Sequence, residues 1–196
     1  MKIARAELKS ISPYSQSRRI GDRKPKEDWM AYERRLWRDR IHVNEAGQVV
    51  IPSMAFKRSI ENAAKFLRMR IPGKGQSEYG KHFEAGVLVV DALPLVKADG
   101  TPLKREEVEG EELYLSSRGK RGQMDVLKIE PVIREWTGTV SYYIVDDTIG
   151  CEVFAQHLRE AGNFIGIGRF RPVNGGYYGR YEVKGIAWEG DLEEAE

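Results

Sequence analysis

The sequence predicts an α+β protein of the ferredoxin-like (RRM-like) class: a four-stranded antiparallel sheet with two backing helices, plus an inserted helix and a basic hairpin arm. Two observations carry this prediction. Strand-like segments, alternating at 3–11 and 137–145, continuously apolar at 86–95 and closing the chain at 178–188, are separated by two stretches with helical spacing of apolar residues. With insertions at about 20–50 and 96–136 set aside, the order is strand, helix, strand, strand, helix, strand, which is the split βαβ arrangement.

Taking the elements in order, residues 3–11 alternate as a half-buried strand should. Pro13 then removes a ladder donor, and the exit 12–19 holds Ser15, Ser17, Arg18 and Arg19, natural donors to a sugar-phosphate backbone. Asp28 caps an inserted helix to about residue 40, with Trp29, Tyr32, Leu36 and Trp37 on its inner face and Arg34, Arg35 and Arg38 on the other. That basic face reads either as a solvated surface or as a nucleic-acid contact. Residues 42–51 form a small hairpin turning at 44–47. Ser53 is placed as the N-cap of the first backing helix, whose apolar stripe is Phe56, Ile60, Ala63, Ala64 and Leu67, with Lys57, Arg58 and Lys65 off the stripe. Residues 86–95 read as a buried strand, and 112–115 with 126–136 as the sides of an arm tipped by Arg118, Lys120 and Arg121. A strand over 137–145, a second helix over 149–161 ended by Gly162, and a final strand over 178–188 complete the fold.

Composition bounds the function. In 196 residues, 41% are hydrophobic and 32% charged, which is a globular balance sufficient for one domain over 1–188. No apolar run approaches the roughly 18 residues that span a bilayer, and the N-terminus alternates where a secretory signal would be apolar. A cytoplasmic protein without a membrane partner is expected. Cys151 is the only cysteine, and His42, His82 and His157 are widely spaced, so neither a disulfide, a metal site nor a cofactor is expected. The formal charge of +2 is uneven: the tail 189–196 carries five carboxylates and no base, leaving +7 on the body. Residues 18–40 carry nine bases against five acids. This is the layout of a basic working surface with a solvated acidic end.

The densest chemistry lies in 166–183. Gly166, Gly168, Gly175, Gly176 and Gly179 permit positive φ and close backbone approach, Arg169, Arg171 and Arg180 supply forked cations suited to phosphate, and Phe170, Tyr177, Tyr178 and Tyr181 offer faces for stacking bases. The alternative is a glycine-rich hairpin whose tyrosines pack on its own sheet. Catalytic signatures fail on spacing or context. Residues 73–77 lack the full phosphate-loop spacing, Gly166-x-Gly168 has Arg171 where the dinucleotide fingerprint needs glycine, and there is no Gly-x-Ser-x-Gly elbow.

Three stretches resemble the RAMP superfamily of CRISPR-associated RNA-binding proteins. Ile51-Pro52-Ser53 with Lys57, Ile60, Ala63 and Ala64 resembles that superfamily's "Ile-Pro-Gly-Ser-x-x-Lys-Gly" entry to its first helix, with Ser53 where glycine is usual. The Gly166-to-Pro172 stretch is similar to the glycine-rich loop before its last strand, and residues 11–18 resemble the first-strand exit of its backbone subunits. The resemblance implies a non-catalytic subunit that binds single-stranded nucleic acid, usually guide RNA, as a repeating homo-oligomer or with other effector subunits. In such a subunit Lys57 and Arg58 would hold phosphates at the helix N-terminus; Ser15, Ser17, Arg18 and Arg19 would contact sugar and phosphate. Amides of 166–171 would meet the strand, and Arg118, Lys120 and Arg121 would act as the family's thumb on the next subunit. Some relatives cut RNA, which would need Asp22, Asp28 or His42 as the acting group; none sits in a recognisable motif. The same residues would also suit a phage-encoded relative that mimics and inhibits such a complex, or a single-stranded DNA-binding protein.

Overall fold

The computed structural model describes residues 1–119 and 122–190, and of 115–119 and 122–125 the backbone alone. Lys120, Arg121 and residues 191–196 lie outside the described residues, as does the Arg118 side chain. In chain order the elements are β1 (Lys2–Ser10), β2 (Tyr14–Ser15), α1 (Trp29–Leu36), β3 (Val50–Ile51), α2 (Ser53–Leu67), α3 (Gly80–Gly86), β4 (Val87–Leu88) and β5 (Leu93–Pro94). There follow β6 (Glu109–Gly119), β7 (Gly122–Ile133), β8 (Thr137–Ile144), α4 (Cys151–Glu160) and β9 (Tyr181–Glu189).

The main sheet has the order β4-β8-β1-β9, antiparallel throughout, which is the ferredoxin-like arrangement. Alternation in β1 decides its faces. Ala4, Ala6 and Leu8 are fully buried, while Arg5, Glu7 and Lys9 are exposed. The alanines leave room for α2 and α4. Phe56 of α2 meets Tyr181 edge-on at 6.5 Å between ring centroids, and Phe154 of α4 meets Tyr142 at 5.2 Å. Burying each such ring contributes about 1.5–3 kcal/mol. The opposite sheet face is uncovered but balanced in charge: Arg5 pairs with Glu189, and Lys184 with Glu182 at 2.7 Å. Tyr143, half-buried, is the aromatic residue it offers from β8. This face is poorly suited to the base stacking for which RNA-recognition domains use theirs.

Several expectations are corrected. The apolar run 86–95 is not one strand. Only Val87 and Leu88 pair with β8, after which the chain leaves the sheet so that Leu93 and Pro94 can pair with Ile51 and Val50. Helix α3 precedes it, an element the sequence reading did not include. Ser53 is the first helical residue of α2 and no side chain caps that end. In the inserted helix Asp28 does cap, accepting from the amides of Met30 and Ala31, but Trp29 faces outward, with Arg23 and Lys128 lying over its ring at 5.0 and 5.3 Å.

The arm is a long hairpin, paired from Glu109↔Val132 to Gly119↔Gly122, and β2 joins the far edge of β7. A buried ion pair fastens α1 beneath it. Arg40 reaches Glu33 at 2.7 Å and donates to the Ile129 carbonyl, while Glu33 accepts from the Ile129 amide. Burial pushes the Glu33 carboxyl up, but Arg40, the Ile129 amide and Lys128 together hold it below the usual range.

Candidate nucleic-acid interface

Three segments distant in sequence meet at one end of the helix layer: the exit from β1, the start of α2 and the glycine-arginine loop. Pro13 turns the chain out of β1, and the loop is then stitched to that exit. The Gly179 amide donates to the Pro13 carbonyl at 2.7 Å, and the Arg169 amide to Ser15 at 2.9 Å. Gly168 makes the approach possible. At its φ of +75°, a Cβ would stand 2.2 Å from the Ser15 carbonyl oxygen and 2.6 Å from the Tyr14 ring. Phe170 also has positive φ, +51°, a conformation that costs a bulky residue of order 1–3 kcal/mol and is held here by the surrounding contacts.

Between the segments runs a groove of about 320 Å³, lined by Gln16, Ser17, His42, Arg58, Arg169 and Arg171, with a cup of about 490 Å³ beside it against Asn174–Gly176. Part of its charge is uncompensated. Arg58 is exposed and Arg171 half-buried, and neither side chain has a partner among the described residues. Arg169 donates to Ser17 Oγ at 3.2 Å and lies 3.1 Å from Glu130. The amides of Gly168, Phe170 and Arg171 donate to no group among the described residues. The N-terminal end of α2, which no side chain caps and which reaches the groove at Met54, adds the partial positive charge of its open amides. His42 is held below its ordinary pKa, first by burial and then by the Arg18 charge. The arrangement can bind an anion at several points along a line, with backbone donors and forked guanidiniums together.

The groove thus unites Ser17, Arg58, Gly168, Arg169 and Arg171, with exposed Arg18 and Arg19 leading from it along the strand exit. Ser15 is buried beneath, contributing its carbonyl, and Gly166, at φ +70°, forms the base of the loop. Three expected contacts are redirected. Lys57 is buried and points away from the groove, its ammonium 2.9 and 2.7 Å from the carbonyls of Phe83 and Glu84 and 2.6 Å from Glu61. One residue along a helix turns the side chain by about 100°, so Lys57 and Arg58 serve different surfaces. Tyr178 is buried, its hydroxyl donating to Glu111 at 2.5 Å, and burial pushes its pKa far up; Tyr177 is the exposed ring. Arg180 turns back to donate to the Asn163 carbonyl.

Gln16, His42 and Glu130 belong to the site without having been expected as ligand contacts. Gln16 accepts from the His42 amide at 3.3 Å, and its Nε2 is buried without a partner. Glu130 is fully buried on β7, and burial pushes its carboxyl above the ordinary value, with Arg169 opposing. Of the aspartates considered for catalysis, Asp28 is the cap of α1; among the described residues the groove lining holds no carboxylate.

No protein-family model matches the sequence, and no curated protein matches it. The fold is similar to that of a chain in the cryo-EM structure of the Type III-B Cmr-beta bound to cognate target RNA, with a TM-score of 0.55 at 14% identity over 95% of the present chain. The present chain spans 60% of the length of that one. No helix among the described residues is long and apolar enough to cross a membrane.

Proposed function

We propose that this groove binds the backbone of single-stranded nucleic acid, RNA foremost, and that the protein is a non-catalytic, RAMP-type subunit of a CRISPR-type ribonucleoprotein repeating along the strand. The observation that carries the reading is the convergence of Arg58, Arg169 and Arg171, the unpaired loop amides and the open end of α2 on one groove from three separate segments. The likeness in fold to a chain from an RNA-bound assembly supports it. As a second reading, the likeness in fold to a chain of such an assembly would also suit a relative that occupies a subunit's place in it and blocks it.

Backbone binding has a salt signature. With about four phosphates neutralised, affinity for a fluorescein-labelled single-stranded RNA should fall about 50-fold between 50 and 200 mM salt. Anisotropy titrations check this. An affinity that hardly changes removes backbone binding, and a protein that binds neither RNA nor single-stranded DNA leaves the blocking reading in its place.

A further inference from the structure

Phe66 and Phe164 are stacked on one another in the open, ring centroids 5.6 Å apart at 29°, with 58% and 50% of their surfaces exposed. Two large rings in water at one place are costly unless something covers them. Their position is built by the backbone. After α4 the chain makes one wide turn, Gly166 donating to the Ala161 carbonyl at 2.8 Å, and such wide turns recur at functional sites. The turn is pinned to α2, where the Ser59 hydroxyl lies 3.5 Å from the Ala161 carbonyl. Gly162 passes so close to β9 that a Cβ would stand 2.0 Å from the Tyr181 carbonyl oxygen. Phe164 therefore has a fixed place, and that place is over Phe66.

The pair is continuous with the groove. Met54, Arg58, Asn62 and Phe66 recur every four residues on α2, and the first two line the groove. From Arg58 to Phe66 is about 12 Å along the helix, a span of a few nucleotides. The stripe carries a cation and an amide but no carboxylate, and Arg180 lies beside its far end, bonded to the carbonyl of Asn163.

We infer that Phe66 and Phe164 form a base-stacking platform for a nucleotide of the strand whose phosphates lie in the groove. The inference rests on the proposed function and adds a second, uncharged contact to it. Stacking is indifferent to base identity because every base has a π-face, and it is insensitive to salt because no counterion is released. The platform would thus anchor the strand without reading its sequence.

The test uses the whole protein and a short fluorescein-labelled oligouridine, beside the same strand with an abasic position scanned along it. Phe66→Ala and Phe164→Ala should each weaken binding about tenfold, the loss expected from removing one stacked base, with an unchanged salt slope. One abasic position should weaken binding to the parent protein equally and have no added effect on the variants. Phe66→Trp should restore affinity, which separates stacking from a folding defect. If the parent binds with its steep salt slope but neither alanine variant changes affinity, the platform is overturned and the groove stands. If the variants instead shift only the protein's mass in solution, the pair covers a protein contact and the inference fails. A parent that binds no strand overturns both readings.

Discussion

The groove and the uncovered face of the sheet are both exposed, both charged and both built on β1 or its exit, yet they treat charge in opposite ways. On the sheet face Arg5, Lys9 and Lys184 are matched by Glu7, Glu182 and Glu189, two of them in direct ion pairs. Exposed pairs of this kind contribute little and leave no net field. In the groove Arg58 and Arg171 have no partner at all among the described residues, and backbone amides are left open beside them. On the proposed reading, what marks the groove as the working surface is unspent donors, not the number of charges.

The sharpest way to break that contrast is to reverse charge on each surface in turn. Arg58→Glu with Arg171→Glu should reduce affinity for single-stranded RNA by about 100-fold or more, since a hydrogen bond to a charged group contributes about 1.5–3 kcal/mol. Lys9→Glu with Lys184→Glu makes the same change in net charge and should move affinity less than about threefold. Equal losses in anisotropy titrations would mean that only overall charge matters, and the groove would lose its standing.

Lys57 and Arg58 sharpen the comparison within two adjacent residues. Removing the Lys57 ammonium leaves Glu61 and two carbonyls at the end of α3 without their donor. Lys57→Ala should therefore lower stability by about 2–3 kcal/mol in urea unfolding while the folded protein keeps its RNA affinity. Arg58→Ala should do the reverse, costing binding and leaving the urea midpoint nearly in place. Loss of binding by a fully folded Lys57→Ala protein would return Lys57 to the ligand.

Much of this was legible in the sequence, and the failures share one cause. Alternation located β1, β8 and β9, and the stripe from Phe56 to Leu67 located α2, because those signals are local. The motif around Gly168 was legible because only glycine tolerates that approach to Ser15. Choices between neighbours were not. Whether Tyr177 or Tyr178 faces inward depends on Glu111, 67 residues away on the arm, and the direction of Lys57 depends on the unforeseen α3. The run 86–95 is apolar enough for a strand, but its later half is claimed by β3. Glu130 looks like any charged residue in an alternating segment, and its full burial shows only in the fold.

Glu130 is where the two kinds of surface meet, because it is the carboxylate beside an arginine of the groove. It is fully buried, neither oxygen makes a hydrogen bond, and Arg169 lies 3.1 Å away. Burial raises its pKa despite Arg169 and Arg40, with Glu33 adding to the rise and Lys128 opposing it. The folded protein therefore holds this proton more tightly than the unfolded chain. The contribution of this group to stability is greatest below the ordinary glutamate value of about 4.3 and declines as pH rises from there through the higher folded value. Glu130→Gln removes the buried charge and should raise the melting temperature by a few degrees at pH 7, with the gain vanishing near pH 4. The same change frees Arg169 for the strand and should tighten RNA binding about two- to threefold. A variant less stable than the parent at every pH would mean that the Arg169 pair outweighs the cost of burial, and Glu130 would then be a clamp that shapes the groove by holding one of its arginines back.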